Sequence, residues 1–238
     1  MKIENLYEDE DLLVVNKPNN ILVYPSYYAR NIKGPTLIDL IDFGEFKIHT
    51  VHRLDFKTSG IVIFSKNKAS AQSLQEQFAN QLIQKEYYAI VRGYTESEGV
   101  IDTPIKNSES KEYKTALTYY KTAQQQETPI PVQPYSTSRY SLIKLYPKTG
   151  RQHQLRKHMN KISHPIIGDH RYGNRHHNKM FVEEFGLSNL FLHARKIVFQ
   201  HPKSQEEIKI IAPLPHFWFT AYRYLGFNPS LSNNNQNY

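Results

Sequence analysis

The sequence predicts an α+β fold in which a mixed, mainly antiparallel central sheet is flanked by helices and loops. Short apolar or alternating runs recur along the chain and read as strands. Between them, several stretches carry apolar residues at helical spacing, as a helix packing one face on a sheet requires. At 238 residues the chain is long enough to bury a sizeable core.

Leu12 to Asn16 reads as a buried strand closed by the turn chemistry of Lys17-Pro18-Asn19-Asn20, and Ile21 to Tyr24 as a second strand stopped by Pro25. Pro35 and Thr36 open a short helix with Leu37, Leu40 and Ile41 on one face. Lys47 to Val51 and Ile61 to Ser65 read as strands on either side of the segment from His52 to Gly60. Asn67 caps a helix whose Ala71, Leu74, Phe78 and Leu82 turn toward a core. Lys85 to Val91 is apolar or aromatic on both faces, so it belongs inside the sheet, with Tyr87 and Tyr88 pointing to opposite sides. Thr103 to Lys114 reads as a loop, Thr115 to Lys121 as a strand, and the Gln- and Pro-rich Thr122 to Thr137 as an extended connection. Arg139 to Tyr146 resumes the sheet. Pro147-Lys148-Thr149-Gly150 then turns the chain into a basic helix held by Leu155, Met159 and Ile162. Phe191 to Phe199 and Glu207 to Ile211 read as closing strands, and Ala221 to Phe227 as a short helix. Residues 1–226 are expected to form one domain and 227–238 a polar, disordered tail.

A net charge of +8 with 13% aromatic residues favours a polyanionic partner and offers rings on which bases stack. The absence of cysteine removes disulfides, thiol nucleophiles and Cys-ligated zinc. No signal peptide or membrane-length apolar run is present, so a cytoplasmic protein with no membrane partner is expected. The histidines between His153 and His177 lack paired-ligand spacing, and Arg171, Arg175 and Lys179 would repel a cation. No metal is expected there; a basic loop touching phosphates fits better.

His52-Arg53-Leu54-Asp55-Phe56-Lys57-Thr58-Ser59-Gly60 places a lone carboxylate, Asp55, among basic and hydroxyl side chains. By itself this allows a surface ion pair with Arg53 or Lys57 as well as a catalytic acid. His-Arg-Leu-Asp followed by Thr-Ser-Gly, however, resembles the catalytic loop of the RluA-type pseudouridine synthases. So do the opening Val14-Val15-Asn16-Lys17-Pro18, the segment Thr149 to Arg156, His164-Pro165-Ile166-Ile167-Gly168-Asp169, and Leu192-His193-Ala194, all in family order.

The resemblance implies a pseudouridine-synthase catalytic domain without an S4-type RNA-binding domain, its cleft crossing the sheet. It implies Asp55 as the essential aspartate and Arg156 as its charge partner, an ion pair that would favour the carboxylate form. It further implies Tyr87, in a Lys-x-Tyr motif, against the uracil. Attack on the sugar, attack on the base and a glycal route are all chemically open to Asp55. Isomerisation needs no cofactor. The target nucleotide must be flipped out of its stack, with Arg53, Lys57, Lys148, Arg151, Lys157, Arg171 and Arg175 as expected RNA contacts. Phe56 departs from the arginine often found there, leaving Lys57 as a partial substitute for any phosphate contact. The segments Thr137 to Tyr140, Pro147 to Arg156 and Phe185 to Ala194 look most like those of members acting on tRNA at the base of the T stem. Ribosomal RNA is the alternative substrate, and a non-catalytic RNA chaperone the alternative of another class. A monomer is expected.

Overall fold

The computed structural model describes residues 2–25, 32–41, 43–107 and 110–230. The chain forms two compact units, Met1–Lys85 with His193–Pro213, and Glu86–Leu192 with Leu214–Tyr238. Both are α+β.

In the first unit, β1 (Glu4–Glu8) pairs antiparallel with β2 (Leu12–Lys17). A four-residue helix α1 (Leu37–Leu40), capped by Thr36, precedes β3 (His49–Thr50) and β4 (Ser59–Ser65). All seven residues of β4 are buried, because strands lie on both of its edges. One edge pairs antiparallel with β2. The other is shared by β3, against Phe64 and Ser65, and by a strand from far down the chain, against Ser59 and Gly60. Helix α2 (Lys68–Ala79) starts where the Asn67 side chain accepts from the Ser70 N–H and packs Leu74 onto this sheet. The core joins Leu12, Val14, Ile61, Ile63, Leu74 and Ile197.

The second unit is organised by β5 (Gln84–Arg92), β6 (Glu98–Asp102), the small hairpin β7 (Ile105–Lys106) and β8 (Tyr113–Lys114), β9 (Leu117–Thr128) and β10 (Ser138–Pro147). β10 pairs antiparallel with β5 and β9, and β9 with β6. Alternation along β5 and β10 serves two cores. Tyr88, Ile90, Tyr140 and Leu142 face α4 (Arg175–Phe185) and α5 (His216–Leu225), while Ala89, Val91, Ile143 and Leu145 face α3 (Gln154–Lys161). The closing strands β11 (Leu192–Gln200) and β12 (Glu207–Ile211) return the chain to the first unit, where β11 runs parallel to β4.

Several local expectations shift. Ile21 to Tyr24 is buried chain without strand pairing, and its carbonyls at Leu22 and Val23 receive the first N–H groups of α1 instead. Leu82 is 63% exposed because α2 ends at Ala79. The three glutamines expected in a loose connection belong to β9: Gln125 donates to the Thr95 carbonyl and Gln124 to that of Asn228, so polar side chains are satisfied within the sheet. The loop expected between His170 and His177 becomes helical at Arg175, started by the Asn174 cap. Phe227 is buried in the core. Of the tail, residues 231–238 lie outside the described residues.

Candidate active site

In the first unit, Asp55 opens a β-turn in which the Thr58 N–H donates to the Asp55 carbonyl at 3.1 Å. The turn is held from its own unit by the Lys-Pro-Asn segment. Lys17 is fully buried and its ammonium donates to the carbonyls of Pro18 (2.9 Å), Ile21 (2.8 Å) and Phe56 (3.2 Å). Asn19 donates to the carbonyl of Lys57 at 2.6 Å. Both central residues of the Asp55 turn are therefore anchored through their backbones. Burial pushes Lys17 down to about 7, and the charge of Asp55 opposes that shift.

Each end of the motif is locked. At its start, His52 accepts the Ile63 N–H and stacks on Phe78 with ring centres 4.8 Å apart; burial, aided by Lys85, pushes it down to about 3. At its end, Ser59 and His193 meet through Oγ and Nδ1 at 2.9 Å. Gly60 has φ +111°, and a Cβ there would lie 2.3 Å from the Ala194 carbonyl oxygen, so only glycine permits this parallel approach. The two sequence motifs Thr58-Ser59-Gly60 and Leu192-His193-Ala194 are thus a single parallel pair.

In the second unit, Tyr87 lies on β5 opposite Leu145 and packs against the core that contains Leu155 and Met159 of α3. α3 also carries Arg156, which is buried and grips Asp169 through two bonds, Nε to Oδ2 at 2.7 Å and an Nη to Oδ1 at 2.9 Å. Burial alone would raise the Asp169 carboxyl, but Arg156 and the N–H groups of Tyr172 and Arg171 hold it below the ordinary carboxylate value. Gly168 places this aspartate: its φ is +77° and a Cβ would meet the Asn189 carbonyl at 1.8 Å. Tyr172 covers the guanidinium, its ring centre 5.1 Å from Arg156 Cζ.

Among the expected RNA contacts, Arg53 is exposed beside the Tyr24 ring. Lys148, Arg151, Arg171 and Arg175 are exposed in the second unit, and Lys157 is half-buried there. Four of the histidines from His153 to His177 have separate partners: His158 meets Thr118 and Thr103, His164 the Arg92 carbonyl, His153 Tyr172, and His177 Tyr140.

Residues 11–161 match the RNA pseudouridylate synthase family. The chain belongs to that family. As an RNA pseudouridylate synthase it is an isomerase acting on RNA. It is 38% identical to tRNA pseudouridine synthase C of Haemophilus ducreyi, over 96% of this chain and 98% of that one. To the Pasteurella multocida enzyme of the same name it is 40% identical over 92% and 94%. The solved structure of human RNA Pseudouridylate Synthase Domain Containing 1 is similar with TM-score 0.71 and 26% identity, covering 97% of this chain and 86% of that one. Human RNA Pseudouridylate Synthase Domain Containing 4, at 24% identity and TM-score 0.72 over 94% and 93%, shares the fold. Among the described residues of this pseudouridylate synthase, no helix is long and apolar enough to cross a membrane.

Lys17, Asn19 and Asp169 hold the candidate residues or their neighbours in place, and no residue pattern in the sequence marks the three for it. Lys17 and Asn19 lie in a segment with turn chemistry, and Asp169 closes a motif that carries the family resemblance. The one available signal was a lysine at the end of an otherwise buried strand, a position where a charge needs partners.

Proposed function

We propose that this chain is a tRNA pseudouridine synthase that isomerises uridine 65, at the base of the T stem, with Asp55 as the catalytic carboxylate. The observation that carries the reading is the likeness, over more than nine-tenths of both chains, to two enzymes named tRNA pseudouridine synthase C. The local geometry supports it: a catalyst must be held still, and the Asp55 turn is fixed through its carbonyls while its side chain remains incompletely buried.

In this reading the uridine leaves its stack, at a cost of a few kcal/mol, offset by backbone neutralisation from Arg53, Lys57 and the basic residues Lys148, Arg151, Lys157, Arg171 and Arg175. Asp55 promotes breakage of the N1–C1′ bond, the uracil turns, and C5 joins C1′. The C5 proton then leaves, with Tyr87 packed against the ring and its phenol oxygen relaying it by passing its own proton on to solvent, while N1 gains a proton from solvent, so that the product is an isomer of the substrate. Arg156 orients Asp55, and Asp169 in turn orients Arg156.

The test is Asp55→Asn on an unmodified tRNA transcript, with positions mapped by chemical probing. Pseudouridine should vanish at the T-stem base while transcript affinity stays within about threefold. Retained turnover would falsify the role of Asp55, and modification appearing only in ribosomal RNA would overturn the tRNA assignment.

A further inference from the structure

The second unit contains a pocket of about 440 Å³ at the far end of β5, lined by Arg92, Tyr94, Tyr135, Thr137, Arg139 and His177. Its volume is within the range of small-molecule sites. It is separate from Tyr87: Arg92 lies five residues further along β5, roughly 16 Å away along the strand, and an odd separation puts the two side chains on opposite faces.

The charges of this pocket do not cancel. Arg139 is matched, its Nε 3.1 Å from Glu127 Oε2, and the same carboxylate accepts the Thr137 hydroxyl at 2.6 Å. Arg92 has no carboxylate within ion-pairing distance among the described residues. Its positive charge is felt nearby: burial first, and then Arg92 and His176, push His177 down to about 4. That imidazole is therefore neutral, and its Nδ1 lies 2.9 Å from the phenol of Tyr140, which burial keeps protonated. Assigning the phenol as the donor to Nδ1 places the ring's hydrogen on Nε2. His177 is only 6% exposed, lines the pocket, and its Nε2 has no partner among the described residues. At the rim Tyr135 is 64% exposed. One surplus positive charge, one neutral N–H donor and an open ring are the complement of a singly charged phosphate with a flat base attached.

We propose that this pocket holds one nucleotide of the RNA substrate away from the uridine that reacts, with its phosphodiester on Arg92 and His177 and its base on Tyr135. The assignment rests on RNA being the substrate, and its single surplus charge matches a strand phosphodiester better than a doubly or triply charged free nucleotide. The pocket extends the enzyme's footprint and raises affinity without touching the reacting atoms.

The experiment measures affinity of the full chain for an unmodified tRNA transcript across a salt series, for wild type, Arg92→Ala and Tyr135→Ala, beside a titration with uridine monophosphate followed by phosphorus NMR. Arg92→Ala should weaken the transcript about fivefold or more and flatten the log–log salt slope by about one. Tyr135→Ala, on an exposed ring whose loss does not threaten folding, should weaken it about fivefold with the slope unchanged. Uridine monophosphate should bind only at millimolar concentration, and its broadening should disappear in Arg92→Ala. Unchanged affinity and slope in both variants overturn the proposal. Micromolar mononucleotide binding with unchanged transcript affinity also overturns it, in favour of a free-nucleotide site. Pseudouridine formation separates this from the enzymatic reading: normal modification with unaltered affinity in both variants sinks the pocket alone. Weakened RNA binding in an enzyme that leaves tRNA unmodified sinks the tRNA reading alone.

Discussion

At the scale of single residues, Lys17 is the most consequential side chain without a chemical step of its own. An ammonium has three donors, and here the fully buried Lys17 places them on three carbonyls, the buried one of Ile21 and the part-buried ones of Pro18 and Phe56. Replacing a buried charge by an apolar residue of similar length is sometimes neutral, because the desolvation cost goes with it. In this case the carbonyls remain. Each unsatisfied buried acceptor costs about 1–3 kcal/mol, which outweighs the recovered desolvation. Lys17→Met is therefore expected to lose about 2–4 kcal/mol in urea denaturation and at least tenfold in turnover, since the Phe56 carbonyl that steadies the Asp55 turn is released. A methionine variant as stable and as active as wild type would remove Lys17 from any supporting role. The same reasoning explains why Arg156 alone said little about its surroundings. A guanidinium has two useful edges, and one is spent on Asp169, thirteen positions away and in a motif with no obvious electrostatic message.

The pairing of β4 with β11 is the element on which the motif's geometry depends. Gly60 lies where two backbones meet in parallel, and a side chain there would strike the Ala194 carbonyl at 2.3 Å in addition to straining a φ of +111°. Gly60→Ala should cost about 3 kcal/mol or more and loosen the Ser59–His193 contact. Gly150→Ala, with nothing within 4 Å of the added carbon, should stay within about 0.5 kcal/mol. Equal denaturation midpoints for the two variants would show that the parallel approach tolerates a side chain. The sequence pattern revealed β4, β5 and β10 because apolar runs fill their buried faces, with β5 and β10 serving a core on each side, and α2 because its apolar residues repeat toward one core. The first part of β9 was read as a strand, but its second part, from Thr122, escaped for a physical reason: glutamine carries no strand signal, yet its long amide can satisfy backbone groups of neighbouring elements, as Gln125 does for Thr95. α4 escaped because its first turn, Arg175-His176-His177, looks like a solvated basic run. What identifies it is the Asn174 side chain accepting from two N–H groups, a cue the charge pattern hid. Motif order singles out Asp55, Tyr87 and Arg156 as candidates, whereas the bonds that anchor the Asp55 turn leave no trace in the sequence, because they fall on backbone carbonyls.

For the whole molecule, several histidines are buried in the neutral form, and this sets the response to acid. Burial pushes His193 down to about 3, with Arg195 acting in the same direction, and His177 down to about 4; His52 and His158 are lowered as well, again chiefly by burial. In the unfolded chain an imidazole titrates near 6.5. Above that value both states are neutral and the histidines leave stability unchanged. Between about 6.5 and 4 the unfolded chain binds protons that the folded chain refuses, so stability falls as pH falls, by up to about 1.4 kcal/mol per pH unit for each fully buried imidazole. The paired carboxylates respond lower down: Asp169 and Asp9 are held below their ordinary value, so their contribution is lost only as pH drops through their folded values, beneath the histidine window. Extra protons also add to a net charge already at +8, and self-repulsion acts in the same direction. Urea denaturation at pH 7.5, 6.0 and 5.0 should therefore show a steep loss of stability well before carboxylates titrate. His193→Asn, whose amide can still meet Ser59, should flatten the slope by about one proton without changing stability much at pH 7.5. A wild-type stability that is level from pH 7.5 to 5.0 would mean these imidazoles titrate normally in the folded chain, and that their burial does not exclude the charged form.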